Sequence, residues 1–325
     1  MYGEIALFSG NGNTPLAQEI SQALALPLCP ADVFKFPNQN VFCRLRTSVR
    51  GKDVFIIQPI ANSYDEKGVL ASVNDNLMEL LIMIDTAKRD SAGRITAVVP
   101  YFGYGRTDKK DQPRVPISAR LVADLITTAG ANRFLTLDLH AGQIQGFFNI
   151  QVDEITAFYL LSDYIKNKNI SNAVVIAGDI GATKKARNFA QHLDLPLAII
   201  EKRRTQQKDG SRAEVLNVIG DVRGKNCLIF DDEIDTAGTV AQAMAFLKEE
   251  QALDIYACVT HAVLSGPAVQ RLTEAPVKEV VATNTIALPP HKCFSKLTIL
   301  SVAPLLAEVI RRIHLGISVG ELFNE

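Results

Sequence analysis

The run Leu-Ile-Phe-Asp231-Asp232-Glu233-Ile234-Asp235-Thr236-Ala237-Gly238-Thr239-Val sets two carboxylates at the end of an apolar stretch and follows them with small and hydroxylated residues. If a helix begins there, its first backbone N–H groups have no acceptor within the helix and lie at the positive end of its dipole, so the turn can cradle a phosphate. The acidic pair Asp231 and Asp232 suits sugar hydroxyls, directly or through Mg²⁺. A plain helix cap would also use Asp and Thr, but it has no need of the apolar run or the second carboxylate. A second corner of this kind is Asp179 followed by Gly181, which reads either as an ion site or as a cap. Lys202, Arg203 and Arg204 follow another apolar run, and His140 lies in Asp138-Leu-His140-Ala-Gly-Gln143. Taken singly, a basic triplet is a solvated patch and a lone histidine is structural.

Such residues need rigid elements behind them. Short, nearly continuous apolar runs occur at residues 5–8, 54–58, 95–100, 134–138, 174–177, 197–200, 215–220, 227–230, 255–261 and 280–283. Runs of this kind suit strands of a parallel sheet covered on both faces. Between them lie amphipathic stretches of helical length, such as 76–89, 117–129, 183–193, 237–250 and 302–313. Strand–helix alternation implies α/β architecture with right-handed crossovers. The pattern occurs twice with a hinge near 150–160, which predicts an N-terminal domain over 1–155 and a C-terminal domain over 156–325. The polar stretches 103–116 and 202–212 read as functional loops, too polar for a core and too long for minimal turns.

At 325 residues the chain has the length of about two domains. Its formal net charge of −1 disfavours a polybasic nucleic-acid binder or an acidic tail. No apolar run approaches the roughly 20 residues that span a bilayer, and the first residues lack a basic stretch followed by an apolar one. A cytoplasmic protein with no membrane or nucleic-acid partner is the expectation. Cys29, Cys43, Cys227, Cys258 and Cys293 are scattered without a C-x-x-C pair, so they are read as reduced core residues.

The Asp231–Thr239 segment resembles the binding loop for phosphoribosyl diphosphate (PRPP) of type I phosphoribosyltransferases and PRPP synthetases. Further motifs resemble ribose-phosphate pyrophosphokinases in particular: Asn74-Asp75-Asn76-Leu-Met-Glu79, Tyr101-Phe-Gly-Tyr-Gly-Arg106, Asp138-Leu-His140-Ala-Gly-Gln143, Lys202-Arg203-Arg204, Ser265-Gly-Pro267 and Leu306-Ala-Glu-Val-Ile-Arg311-Arg312. The likeness spans essentially the whole chain, in order. It implies two tandem doubly wound parallel-sheet domains of the type I phosphoribosyltransferase kind, the C-terminal helix packing back on the first half. The implied reaction moves the diphosphoryl group of ATP to O1 of ribose 5-phosphate, giving PRPP and AMP. Asp235, Thr236, Ala237, Gly238 and Thr239 would then hold the 5-phosphate, and Asp231 with Asp232 the ring hydroxyls. His140 and Asp179 would place Mg²⁺, with Asp138 and Asp153 nearby or through water. Lys202 and Arg204 correspond to a catalytic basic arm. ATP would be met by Phe36, Asn38, Gln39, Asn40, Arg106, Thr107, Asp108 and Lys109, and less securely by Lys110. The resemblance further implies a homo-oligomer of dimers assembling to a hexamer, with residues 36–40 of one chain serving a neighbour's centre. Phosphate or ADP are the expected effectors.

Several positions depart from the family pattern. Its adenine-site Glu is Asn40, the Gln after the loop arginine is Thr107, and the Asp of Phe-Phe-Asp is Asn149. The second glycine of Asp-x-Gly-Gly is Ala182, and the C-terminal Ser-Val-Ser is Ser318-Val319-Gly320, whereas Arg50, Gln145 and Asp153 of the neighbouring regulatory pattern are kept. Residues 61–73 exceed the usual loop length. Asn40 keeps an amide oxygen for a purine amino group but brings no charge. Regulation is expected to differ more than chemistry. The substitutions at Asn40, Thr107 and Asn149 would also fit a non-catalytic paralogue that co-assembles with an active synthetase. A PRPP-consuming transferase has only the PRPP loop in its favour.

Overall fold

In a computed structural model of the chain, residues 2–64, 70–178, 181–206 and 212–323 are described. The chain divides into two compact units, Met1–Thr156 with Asn284–Pro289 and Ser301–Glu325, and Ala157–Thr283 with Pro290–Leu300.

The first unit begins with β1 (Ile5–Ser9), α1 (Thr14–Leu24), β2 (Ala31–Lys35), β3 (Val41–Leu45) and β4 (Asp53–Ile57). It continues through β5 (Ser63–Tyr64), β6 (Leu70–Ala71), α2 (Val73–Arg89), β7 (Arg94–Val99), α3 (Ser118–Ala129), β8 (Arg133–Leu137) and β9 (Gln151–Ile155). Five of these strands form a parallel sheet in the order β1-β4-β7-β8-β9. Ala6, Phe8, Val54, Ile56, Ile95, Ala97 and Phe134 pack with Leu80, Met83 and Ile84 of α2 and Val122 and Ile126 of α3. The alternate residues Leu7, Phe55, Ile57, Val98 and Leu135 are equally buried, so both faces of the sheet are covered. That double burial is why these strands read as unbroken apolar runs.

The second unit holds α4 (Phe158–Asn167), β10 (Ala173–Ala177), α5 (Thr183–Leu193), β11 (Leu197–Gln206), β12 (Arg212–Ile219), β13 (Asn226–Ile234) and α6 (Gly238–Glu249). β14 (Ile255–Ala262), α7 (Ala268–Glu274), β15 (Glu279–Thr283) and β16 (Leu297–Leu300) complete it. Its sheet runs β12-β11-β10-β13-β14-β15-β16, parallel except for β12. Strand order reverses between β10 and β13, a switch point of the kind that opens a ligand crevice at the carboxyl ends of the strands. Phe158, Phe189 and Phe230 pack together beneath it, with Phe189 stacked on Phe230 at 4.2 Å.

After β16 the chain returns to the first unit as α8 (Ala303–Leu315), which packs on α1. The joint is polar and buried. Asp53, fully buried at the start of β4, accepts from Arg94 Nε (2.8 Å) and Nη2 (2.5 Å) and lies 2.9 Å from His314 Nδ1. Arg94 also donates to the Ile313 carbonyl at 3.0 Å. Among the described residues no helix is long and apolar enough to cross a membrane.

Every predicted strand and helix overlaps an observed one. The stretch 202–212 is the correction. Its described part is strand, not loop: β11 continues to Gln206 and pairs antiparallel with β12 from Arg212 on, Lys202 opposite Leu216 and Arg204 opposite Glu214, while residues 207–211 lie outside the described ones. An antiparallel ribbon at a sheet edge needs no buried face, so it tolerates basic residues that a central strand would exclude. Of the cysteines, Cys227 and Cys258 are buried and Cys29 and Cys43 half-buried, but Cys293 is exposed, contrary to the core reading. Burial pushes the Cys227 thiol up to about 11.

Replacing Asp53 with Ala would strand the Arg94 guanidinium in a buried setting. Removal of one partner of a buried pair costs about 3–5 kcal/mol, so urea unfolding of D53A should show a loss of that size.

Candidate functional site

The candidate phosphate loop lies where β13 ends at the switch point. Asp232 is buried and Asp231 half-buried, and Asp231 Oδ1 accepts the Asp232 N–H at 2.9 Å. Lys185 of α5 lies 3.6 Å from Asp232. Three successive carbonyls, from Ile234 to Thr236, are tied to the segment after β14. Ile234 accepts from the N–H groups of Val263 (3.0 Å) and Leu264 (3.1 Å), and Asp235 from that of Ser265 (2.9 Å). Thr236 accepts from Arg271 Nη1 of α7 at 2.9 Å. Ala237 then takes a left-handed conformation (φ 59°) that turns the chain into α6. Having only a methyl group, Ala237 offers α6 no side-chain cap. Thr236 and Thr239 are exposed beside it. A left-handed Ala is uncommon, and the buried Leu264 of the supporting turn is also left-handed (φ 49°). Such strain concentrates where a loop is held for a purpose.

The other candidates of this unit are less fully described. The backbone of Lys202 and Arg204 lies in β11, and their side chains fall outside what is described, as does Asp179. Ala182 is the N-cap of α5 with φ −76°, so a glycine is not required there.

In the first unit the candidates cluster at carboxyl ends of strands. Asp138, just past β8, has φ 36° and accepts from the Thr156 hydroxyl at 2.7 Å. Leu139 N–H donates to Glu154 at 2.9 Å, which steadies the approach to the exposed His140. Asp153 is ion-paired with Arg133, which also donates to Gln151. Arg106 and Lys109 are exposed, whereas Asp108 between them is buried and accepts from Gln143 Nε2 at 2.5 Å. Thr107 bonds through its backbone, accepting from Ala119 N–H at 3.2 Å. Asn149 lines a cavity of about 500 Å³ together with Tyr2, Arg94, Asn132, Ile150 and Gln151. Among the described residues, no three or more His, Cys, Asp or Glu side chains gather as a metal site.

Phe36, Asn38, Gln39 and Asn40 form the turn of the β2–β3 hairpin, closed by Phe36 N–H to Asn40 O at 2.9 Å and by Gln39 at φ 69°. All four are exposed. Phe36, Phe34 and Phe42 lie 5.0 to 5.7 Å apart as an aromatic cluster on the ribbon. Two contacts missed by sequence reasoning anchor this ribbon to α2. Lys35 pairs with Asp75 at 2.8 Å, and Asn11 Nδ2 bridges the Val33 carbonyl (3.1 Å) and Glu79 (2.8 Å). Burial raises the Glu79 carboxyl, against hydrogen bonds from Asn11 and Gln58. Arg271 was missed as well, although it follows the quoted Ser265-Gly-Pro267 motif by about one helical turn.

A family model described as the N-terminal domain of ribose phosphate pyrophosphokinase matches residues 5–130, and one described as a phosphoribosyl synthetase-associated domain matches 207–324. A ribose-phosphate pyrophosphokinase of Caldanaerobacter subterraneus subsp. tengcongensis is 51% identical over 321 residues, 98% of each chain. This chain belongs to the ribose-phosphate pyrophosphokinase family. Another relative, from Clostridium tetani, is 46% identical over 98% of this chain and 97% of its own. The crystal structure of phosphoribosylpyrophosphate synthetase from Mycobacterium smegmatis superposes with a TM-score of 0.88 at 42% identity, covering 97% of this chain and 100% of that one. The family is one of transferases, and its α/β fold with parallel sheets is the one described above.

The Lys35 ammonium and the Ser72 backbone N–H hold the Asp75 carboxyl down to about 2. A depressed carboxyl stabilises the fold above its unfolded value, near 3.9, and that contribution disappears as pH falls through about 2. In Lys35→Ala the main cause is removed, so NMR titration should find Asp75 moved up toward the ordinary range, with the ribbon carrying residues 36–40 loosened.

Proposed function

We propose that this chain transfers the β,γ-diphosphoryl group of ATP to O1 of ribose 5-phosphate, forming the O1–Pβ bond, breaking the Pα–O–Pβ link and releasing AMP. The observation that carries the reading is the β13–α6 loop, with two carboxylates before an uncapped helix start at a sheet switch point. It lies in a chain akin to pyrophosphokinases along its whole length. Asp235, Thr236, Ala237, Gly238 and Thr239 hold the 5-phosphate by backbone N–H groups and hydroxyls. Asp231 and Asp232 accept from ring hydroxyls and fix the angle of O1. Phosphoryl transfer asks chiefly for positioning and for neutralisation of spreading charge. Lys202 and Arg204 of β11 supply positive charge to the transferred group.

The ATP residues belong to the N-terminal half in this reading. Phe36, Asn38, Gln39 and Asn40 receive the base, with Asn40 offering an amide in place of a carboxylate. Arg106, Thr107 and Lys109 address the phosphates, and Asp108 braces their loop from inside through Gln143. The donor chemistry fits Mg²⁺, which is normally held by one or two carboxylates plus substrate phosphates and water. His140 and Asp179 would hold it, with Asp138 and Asp153 nearby or through water, Asp153 being already engaged by Arg133. Bound there, Mg²⁺ would neutralise phosphate charge. The protein acts in the cytoplasm as a homo-oligomer, dimers assembling to a hexamer, with phosphate or ADP as effectors.

The test is mass-spectrometric detection of PRPP and AMP from the purified chain with ATP, ribose 5-phosphate and Mg²⁺. Equal amounts of the two are expected, and ADP or no product would overturn the reading. Lys202→Ala should lower kcat by roughly a hundred- to a thousand-fold, the cost of losing one transition-state charge contact.

A further inference from the structure

We propose that Arg271 of α7 completes the sugar-phosphate cradle, its guanidinium being held by the Thr236 carbonyl over the first turn of α6 to contact the 5-phosphate directly. The proposal rests on the assignment of the β13–α6 loop to ribose 5-phosphate. Its starting point is a charge conflict. A phosphate monoester carries roughly −1.5 to −2 charges at neutral pH, and a helix start offers only about +0.5. The same segment holds Asp231, Asp232, Glu233 and Asp235, so its net field would repel the anion it is proposed to receive. Two cations of the neighbouring elements are engaged elsewhere. Lys185 faces Asp232, and the half-buried Lys292 donates to the Val263 carbonyl at 3.1 Å.

Arg271 is differently placed. Its Nη1 lies 2.9 Å from the Thr236 carbonyl and 3.2 Å from where a Cβ on Gly238 would stand. Helical Cα–Cβ bonds tilt toward the N-terminus, so that position lies on the side to which the first amides of α6 point. Thr236 Oγ1 flanks it, 3.9 Å from the same point. The carbonyl occupies one of the five N–H donors of the guanidinium, whose planar fork matches phosphate oxygens. Gly238 is then a glycine for space, since its φ is not in the left-handed region and any side chain would crowd Nη1.

The test separates a phosphate contact from a mere brace. Arg271→Gln keeps an amide able to donate to the Thr236 carbonyl and removes the charge. Titration calorimetry of the full chain with ribose 5-phosphate and with ribose, alongside KM for both substrates, reads the result. R271Q should bind ribose 5-phosphate roughly ten- to a hundred-fold more weakly, the range of a charge-assisted hydrogen bond. Its KM for ATP and its affinity for ribose should be unchanged, and the salt dependence of sugar-phosphate binding should flatten. Wild-type affinity in R271Q overturns the proposal, as does a loss in Arg271→Ala that R271Q fully restores. If R271Q weakens binding while the unaltered protein makes PRPP, both readings stand. An unaltered protein that binds ribose 5-phosphate without forming PRPP overturns the reaction alone, and Arg271 is still judged by the calorimetry. One that binds no ribose 5-phosphate overturns both.

Discussion

In the proposed reading a phosphate is held by a short turn beside four carboxylates, Asp231, Asp232, Glu233 and Asp235, and much of what surrounds the β13–α6 loop answers that conflict. The carbonyls of Ile234, Asp235 and Thr236 carry the negative ends of their peptide dipoles, and each is drawn to donors from the segment after β14. Tying successive carbonyls to one side leaves the following N–H groups available on the other, the arrangement of an anion-binding concavity. The left-handed Ala237 is the conformational cost, of order 1–2 kcal/mol for a residue with a Cβ. It is sustained because β13 pairs with the fully buried β14 as far as Ile234, next to the turn. The sheet is rigid so that the turn can be strained.

That dependence explains which parts were legible from the residues. β4, β10 and β14 are buried on both faces, so their composition announces them. The phosphate loop could be read because one strand, one turn and one helix start supply it contiguously. The β2–β3 hairpin could not: Ala-Asp-Val-Phe-Lys and Val-Phe-Cys-Arg-Leu are only half-buried, and their alternation is weak. β9 and β16 lie at sheet edges and carry no long apolar run. The polarity of Lys202–Arg204 points to a loop, whereas the backbone of this stretch is paired antiparallel with β12. Arg271, Glu79 and Lys35 act on residues dozens of positions away, and local pattern has no means of showing that.

The departures from the family pattern divide by the same logic. Ala182 is neutral because its backbone lies in the ordinary helical region, where a glycine had no special conformation to provide. Asn40 sits at an exposed turn whose closure uses backbone atoms, so the change from a carboxylate alters what meets a ligand and leaves the hairpin's geometry alone. At the two ends of the longer 61–73 segment, Ser63 pairs with Ala71 and Tyr64 with Leu70. The adjoining Asn76 is pinned by the Ala61 carbonyl and Ser63, so the insertion begins and ends on a fixed frame. None of these changes touches the carbonyl-tethered turn that defines the phosphate loop.

Topology then separates the two halves of the chemistry. In the second unit strand order reverses between β10 and β13, and the phosphate loop stands at that reversal, where such sheets open a crevice. In the first unit the strands run β1-β4-β7-β8-β9 in chain order, and no reversal supplies an equivalent opening. Its proposed nucleotide residues instead stand on projecting elements: the hairpin turn, the loop bearing Arg106, and the exposed His140 beyond β8. Phe34 and Phe36 are each more than two-fifths exposed, and with Phe42 they make a contiguous apolar surface that water solvates poorly. The Lys35–Asp75 pair and the Asn11 bridge hold that ribbon in place without covering its aromatic face. In the proposed reading the sugar phosphate is bound by one crevice built within a sheet, whereas a purine on this ribbon would gain from a second surface, which is how the proposed homo-oligomer would couple assembly to nucleotide binding.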